Sequence, residues 1–359
     1  MEQTIKVQNE DLRYVVSVVT SKVNVYDIIV DPVSVKFYFF DSDNPNIDEA
    51  FDSIRRDLID RGFIPMILRD GENIIQATKR PQQRYFGNAV NLILLIATIL
   101  STMYVGSQYS INFVPKGAYY TLRLWGYGFI FFSAPLLLIL GIHESAHFLV
   151  ARKHHVKASL PFFIPFPIGI GTFGAFISLR DPLPNRKAMA EIGAAGPIAG
   201  FLTALPLMFV ADYFQNVVKP IPPAYIPFKV TFPLIYHLLG LNVNFSGPIF
   251  PMVFAVWVGM FATAMNLIPA GQLDGSHIVR GVLGSRANVL SYVFLGFLFA
   301  IGFFYTGWWI IAIFVVFTGL VHPPALNDYS KISKLDIAIG VFSLIMFILT
   351  FTIVPIKPA

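Results

Sequence analysis

An α-helical polytopic membrane protein of about 6–7 spans is the fold class this sequence predicts, with a re-entrant non-helical hairpin and a small N-terminal α+β cytoplasmic domain. Three observations carry that expectation. Of 359 residues, 55% are hydrophobic and 13% charged, and the mean hydropathy is +0.64, a balance typical of membrane chains rather than soluble ones. Several apolar stretches are long enough to cross a hydrocarbon layer about 30 Å thick at about 1.5 Å per residue. Much of the charge is gathered in residues 1–80.

Composition also excludes some chemistry. There is no cysteine, so neither a disulfide framework nor a thiolate metal site is available, and any metal must use His, Asp or Glu. The net charge of +5 fits a basic bias of cytoplasmic loops, and no nucleic-acid partner is expected. Met1–Lys22 is mixed polar without the apolar core of a secretory signal, which predicts a cytoplasmic N-terminus.

Residues 1–80 are expected to form a soluble accessory domain without chemistry of its own. Leu12–Ile29 is rich in valine and fits either helix or strand. Val33, Val35, Phe37 and Phe39 alternate as a strand does, although Tyr38 and Phe40 blur its inner face. Ile47, Ala50, Phe51, Ile54, Leu58 and Ile59 follow a helical stripe, with Asn46 as its cap and Gly62 at its end. Phe63–Leu68 and Asn73–Ala77 flank Arg69-Asp70-Gly71-Glu72, a hairpin signal.

Lys79, Arg80 and Arg84 mark the entry to a membrane core over 85–335. Spans are expected at Ala89–Gly106, Trp125–Val150, Ala190–Tyr213, Gly247–Ile268, Val289–Tyr305 and Trp308–Val321, and a further C-terminal span, Leu335–Val354, falls in 336–359. Phe214–Ser246 is a long outer segment with several prolines. Between the second and third spans, Leu160–Leu179 is apolar but holds Pro161, Pro165 and Pro167 and then Gly169, Gly171 and Gly174. Such a stretch makes a poor helix, and non-helical backbone persists at membrane depth only inside protein or beside a wet cavity. The proposed inner loops carry Arg152, Lys153, Lys157, Arg180, Arg186, Lys187, Arg280, Arg286, Lys331 and Lys334. The outer loops carry only Lys116, Lys219 and Lys229, with Arg123 at a boundary, as the positive-inside rule expects.

The second span carries the chemistry. His143 and His147 sit at i and i+4, so on a helix their imidazoles share a face and suit two corners of a zinc tetrahedron, with Glu144 placed to reach a metal-bound water. The motif lies about 27 Å along its helix, near the cytoplasmic edge. Three such residues in an apolar span cost several kcal/mol unless they have partners or a function. A catalytic zinc needs a third protein ligand. Asp274, a carboxylate just past a proline-ended inward span, is the first candidate, against the bland reading of an Asp-Gly turn; His277 competes with it and Glu191 is weaker. His154 and His155 lie in a basic loop and read as surface residues, and His237 and His322 as structural ones. Gly193, Gly196 and Gly200 permit close helix packing, which alone accounts for them.

Together, His143-Glu144-Ser145-Ala146-His147 and Asn266-x-x-Pro269-x-x-x-x-Asp274-Gly275 resemble the site-2 protease family of intramembrane zinc metalloproteases. The segments GTFGAFISLRDPLPNRKA and EIGAAGPIAG are similar to the branch found in chloroplasts, cyanobacteria and archaea, and the likeness covers most of 85–335. The resemblance implies one catalytic zinc held by His143, His147 and Asp274, Glu144 as proton carrier, and Asn266 as hydrogen-bond donor to the substrate backbone or the developing oxyanion. It implies as substrate the transmembrane segment of another protein in the lipid bilayer, and a flanking hairpin that pairs with it as an extra strand. No PDZ-like insert is visible. Two other readings compete: a prenyl-protein endopeptidase-like enzyme, which would need a downstream Glu ligand, and a non-catalytic zinc-bearing chaperone or transporter.

Overall fold

The computed structural model describes residues 9–81, 87–221, 228–242 and 247–358. Arg84 and parts of the outer segment Phe214–Ser246 lie outside the described residues.

The valine-rich stretch that fits helix or strand is one after the other. Helix α1 (Asn9–Thr20) buries Val15 and Val19, and strand β1 (Val25–Val30) follows it. Strand β2 (Ser34–Phe39) turns Val35, Phe37 and Phe39 into the core, so the period-2 pattern wins over the neighbouring aromatics. Helix α2 (Ile47–Asp60) buries Phe51, Ile54, Leu58 and Ile59 along its expected stripe. Asn46 takes the N-cap position through its backbone: its carbonyl accepts the Glu49 and Ala50 N–H groups at 3.1 Å, and its side chain makes no cap bond. Strands β3 (Phe63–Asp70) and β4 (Glu72–Lys79) pair around Gly71, completing an antiparallel sheet of order β1-β2-β4-β3.

Helix α3 (Asn88–Tyr109) starts the apolar part. Helix α4 (Tyr120–Gly128) passes through a π turn at Phe129–Ser133 into α5 (Ala134–Lys153), one continuous helix of 34 residues. After strands β5 (Phe162–Pro165) and β6 (Thr172–Phe176) comes α6 (Arg186–Val217). Then follow β7 (Phe228–Val230), α7 (Leu234–Leu238), α8 (Pro251–Asn266), α9 (Asp274–Leu283), α10 (Ala287–Ile301), α11 (Gly307–Thr318), α12 (Lys334–Thr350) and β8 (Ile356–Pro358), which pairs with β7. Among the described residues, four helices are long and apolar enough to cross a membrane: α3, Tyr120–Lys153, α6 and the joined run Asp274–Ile301. This is a helical protein of membrane type. The expected span Gly247–Ile268 is shorter as a helix, 16 residues or about 24 Å, because Pro251 opens it and Pro269 follows its end. It is apolar all round and buried at every position from Pro251 to Met260, as a central helix must be. Against it and against α5, α9 and α12 packs α6.

The segment with alternating prolines and glycines is a β-hairpin. Phe162 pairs with Phe176, Phe163 with Ala175 and Pro165 with Thr172, with an irregularity after Phe163. Helix α3 carries this hairpin. Asn91 Nδ2 donates to the Leu160 and Pro161 carbonyls at 2.7 and 3.1 Å, Ser101 Oγ to Gly171 O at 2.7 Å, and Tyr109 Oη to Gly169 O at 2.8 Å. From Asn91 to Tyr109 the helix rises about 27 Å, so the hairpin runs along nearly the whole of it. Polar side chains of an apolar helix thus bond the backbone carbonyls of the hairpin.

Two distant parts of the chain meet the N-terminal sheet. Leu326 is buried in the same core as Phe37 and Ile54, its carbonyl accepts the Ile67 N–H at 2.8 Å, and Asn327 Nδ2 donates to Asp48 at 2.7 Å. Arg55, buried on α2, donates to the His154 and His155 carbonyls at the end of α5 (3.2 and 3.4 Å), and Arg80 pairs with Asp181 at 2.8 Å at the hairpin's exit. Leu326→Ala is expected to cost about 2–5 kcal/mol through the cavity it leaves and to speed hydrogen exchange of the Ile67 amide. Unchanged protection at Ile67 would place Leu326 outside that core.

Candidate metal centre

Helix α5 is kept helical across the motif by an apolar run that ends in basic residues, so His143 and His147 fall one turn apart on one face. Asp274 arrives from elsewhere: α8 stops at Asn266, the chain turns through Leu267–Leu273, and Asp274 opens α9. The structure brings the three together. His143 Nε2 and His147 Nε2 lie 3.2 Å apart, and one oxygen of Asp274, Oδ2, stands 3.2 Å from the first and 3.1 Å from the second. Among the described residues this is the group of three or more His, Cys, Asp or Glu side chains able to share one ion.

The donor set fits a metal. Ligand atoms about 2.0–2.1 Å from a tetrahedral ion stand about 3.3–3.4 Å from one another, close to the triangle observed. His147 Nδ1 lies 2.7 Å from the Ile192 carbonyl, which can only accept, so Nδ1 carries the proton and Nε2 presents a lone pair to the centre. Both imidazoles are buried and Asp274 is half-buried, and three protein ligands are the number a catalytic zinc takes beside a water.

Two further groups border the triangle. Glu144, only 5% exposed, holds Oε1 3.9 Å from His143 Nε2 and faces the backbone N–H of Ile177, just beyond β6. Asn266 reaches in from the end of α8, with Nδ2 3.3 Å from His143 Nε2. The five residues singled out by motif therefore converge from α5, α8 and α9. The competing ligands do not join them. His277 lies one turn along α9, its Nδ1 3.2 Å from Leu273 O and its ring against His322 at 4.1 Å between centroids. Glu191 is occupied by His154 and Lys153, at 2.8 and 3.3 Å. That pairing corrects one expectation: His154 is a half-buried partner of α6, because Glu191 draws it in, whereas His155 is exposed. His322 is buried, bonded to its neighbour's carbonyl at 2.7 Å, and burial with His277 opposite pushes its pKa down to about 3, so the ring stays neutral.

The glycines of α6 belong to the centre as much as to packing. A Cβ at Gly196 would lie 2.1 Å from His147 Nε2 and 2.6 Å from His143 Cδ2, and one at Gly193 would lie 2.7 Å from His277 Cβ. The signal was present in GAAGPIAG, but spacing alone does not say which surface the glycines meet. Nor does it reveal Ile192, whose contribution is a backbone carbonyl. Gly196→Ala is expected to displace His147 and cut bound divalent metal well below the wild-type level in elemental analysis. Gly200→Ala, whose Cβ would clear the nearest atom by 3.1 Å, is expected to keep more of it. Full metal content in Gly196→Ala would refute the close approach.

A family model described as peptidase family M50 matches residues 131–306. The chain is 31% identical over 289 residues to the probable zinc metalloprotease EGY1, chloroplastic, of Arabidopsis thaliana, covering 73% of this chain and 52% of that protein. It is 31% identical over 230 residues to the probable zinc metalloprotease EGY2, chloroplastic, of Oryza sativa subsp. indica (59% and 40%). With the probable zinc metallopeptidase EGY3, chloroplastic, of Arabidopsis thaliana it shares 29% over 240 residues (60% and 41%). The chain thus spans about half the length, or less, of these curated relatives. No solved structure matches it.

Proposed function

We propose that the chain, whose segment 131–306 matches peptidase family M50, the site-2 protease family, is an intramembrane zinc endopeptidase. Its substrates would be membrane proteins, cut in or near their transmembrane segments, as in regulated intramembrane proteolysis. The observation that carries this reading is the triangle of His143, His147 and Asp274 with Glu144 beside it, set in a helix long and apolar enough to span a bilayer. Zinc is the metal that two imidazoles and a carboxylate with an open fourth position suit best, and the names of the relatives agree. When bound, zinc supplies Lewis acidity, lowering the pKa of a coordinated water to about 7.

The chain's own residues do the rest. His143 and His147 present Nε2 lone pairs, and Ile192 fixes the His147 ring in that orientation. Glu144 Oε1 takes the proton of the attacking water and returns it to the leaving nitrogen. Asn266 Nδ2 donates a hydrogen bond to the substrate carbonyl as negative charge develops on its oxygen. Strand β6 is paired by β5 on one side only among the described residues, and its other edge holds an unwound substrate segment as a further strand, exposing the peptide bond a helix would hide.

The finer topology belongs to the same proposal. Six or seven spans, a hairpin re-entering the bilayer beside α3, and a cytoplasmic N-terminus and active-site face are supported by the basic bias of the inner loops and by the contacts from Asn91 to Tyr109. Residues 1–80, 85–335 and 336–359 would be the accessory domain, protease core and added span. An Asp rather than a Glu as third ligand speaks against the prenyl-protein endopeptidase reading.

Purified protein reconstituted with a model transmembrane substrate tests this. Glu144→Gln is expected to slow cleavage by about 10²–10⁴-fold while keeping about one zinc per chain, and His143→Ala is expected to lose the zinc. Full cleavage by Glu144→Gln would sink the enzyme reading. Zinc retention with no proteolysis by the wild type would favour the non-catalytic one.

A further inference from the structure

Between the N-terminal sheet domain and the inner end of α5 lies a cleft of about 560 Å³ that takes no part in the metal centre. Its walls come from α2, from the last turn of α5 and the loop after it, and from the hairpin's exit at Arg180 and Asp181. Five cationic side chains and two carboxylates line it. The carboxylates are already engaged. Asp181 accepts from Arg80 at 2.8 Å and from the Lys157 backbone N–H at 2.9 Å, and Asp60 pairs with Lys157 at 2.9 Å. Arg55 and Arg56 share Asp52, at 2.8 and 3.3 Å. Arg152, exposed at the end of the motif helix, makes no ion pair among the described residues and lies over the Phe148 ring at 5.7 Å.

A recess in which cations outnumber carboxylates, as five do two here, holds a positive field that gathers counter-ions. Guanidinium groups from separate elements match the oxygens of a phosphate, and each charge-assisted bond is about twice as strong as a neutral one. The level of the cleft matters too. Arg152 ends a helix long and apolar enough to cross a membrane, so the basic walls sit where anionic headgroups lie.

We propose that this cleft binds a phosphate group, held by Arg56 and Arg152 across the seam between the N-terminal domain and the motif helix. The group belongs either to an anionic lipid headgroup or to a soluble phosphate. Bound there, it neutralises cations carried by α2 and by α5 and ties the two helices together. The general basic bias of inner loops would attract anions diffusely, and it predicts that every exposed cation nearby counts equally. The cleft predicts that those lining it count far more. Lys153 is the internal control: one residue from Arg152, 69% exposed, it turns away to Glu191.

The test uses the full chain in neutral detergent, titrated separately with inorganic phosphate, with phosphatidylglycerol and with phosphatidylcholine, binding being read by calorimetry. Saturable binding of phosphate identifies a soluble phosphate as ligand; binding of phosphatidylglycerol without phosphate identifies a headgroup. Arg56→Gln with Arg152→Gln is expected to weaken the bound probe by about tenfold or more, about threefold for each exposed cation removed, and Lys153→Gln to change it by less than about twofold. Arg152→Gln alone, at an exposed position, serves if the double variant melts early, and about a threefold loss is then expected. Absence of binding to both anionic probes overturns the proposal, as does an equal effect of Lys153→Gln. No proteolysis is measured, so the outcome is independent of the zinc-peptidase reading.

Discussion

Helix α6 lies so close to α5 that the Ile192 carbonyl receives a hydrogen bond from His147 at 2.7 Å and no side chain fits at Gly196. Much else depends on that approach. The hydrogen bond selects the tautomer and turns Nε2 towards His143 and Asp274. The missing side chain leaves room for both imidazole edges. Because α6 also packs against α8, α9 and α12, its distance from α5 sets where Asn266 and Asp274 arrive. A side chain at Gly193 or Gly196 would push apart the helices that carry the convergent groups, so backbone proximity and site geometry are one constraint.

A second constraint is the economy of polar groups in apolar surroundings. Each one costs free energy unless it is partnered, and α3 partners several of its own with one neighbour. Asn91, Ser101 and Tyr109 look incidental on an apolar helix, yet each meets a carbonyl of the hairpin. These bonds tie the irregular hairpin to α3 along most of its length. Its exit strand reaches the neighbourhood of Glu144, so the polar positions of α3 indirectly fix what stands beside the metal centre.

What is legible in the sequence follows from the range of the physics involved. His143 and His147 are legible because helical spacing is local and their setting is costly. Asp274 is legible as a carboxylate after a proline-ended helix, and Leu160–Leu179 because prolines and glycines forbid a plain helix. The valine-rich Leu12–Ile29 was ambiguous since valine suits a strand and is tolerated in a helix; packing of Val15 and Val19 decides for helix up to Thr20. His154 could not be assigned to Glu191, 37 residues away, nor Ile192 to His147, because a backbone carbonyl has no letter in the sequence. The length of α8 depends on where its prolines fall relative to the helix ends, which composition averages away.

Leu326 completes the hydrophobic core of a unit whose other buried members lie between Val15 and Ala77. Chains are made from the N-terminus onward, and the four helices long and apolar enough to cross a membrane among the described residues precede residue 326. The N-terminal unit therefore waits, its last core position empty, until those helices have been synthesised. Maturation of a unit made before the helices becomes a late event, and a chain cut short before Leu326 leaves that core incompletely filled.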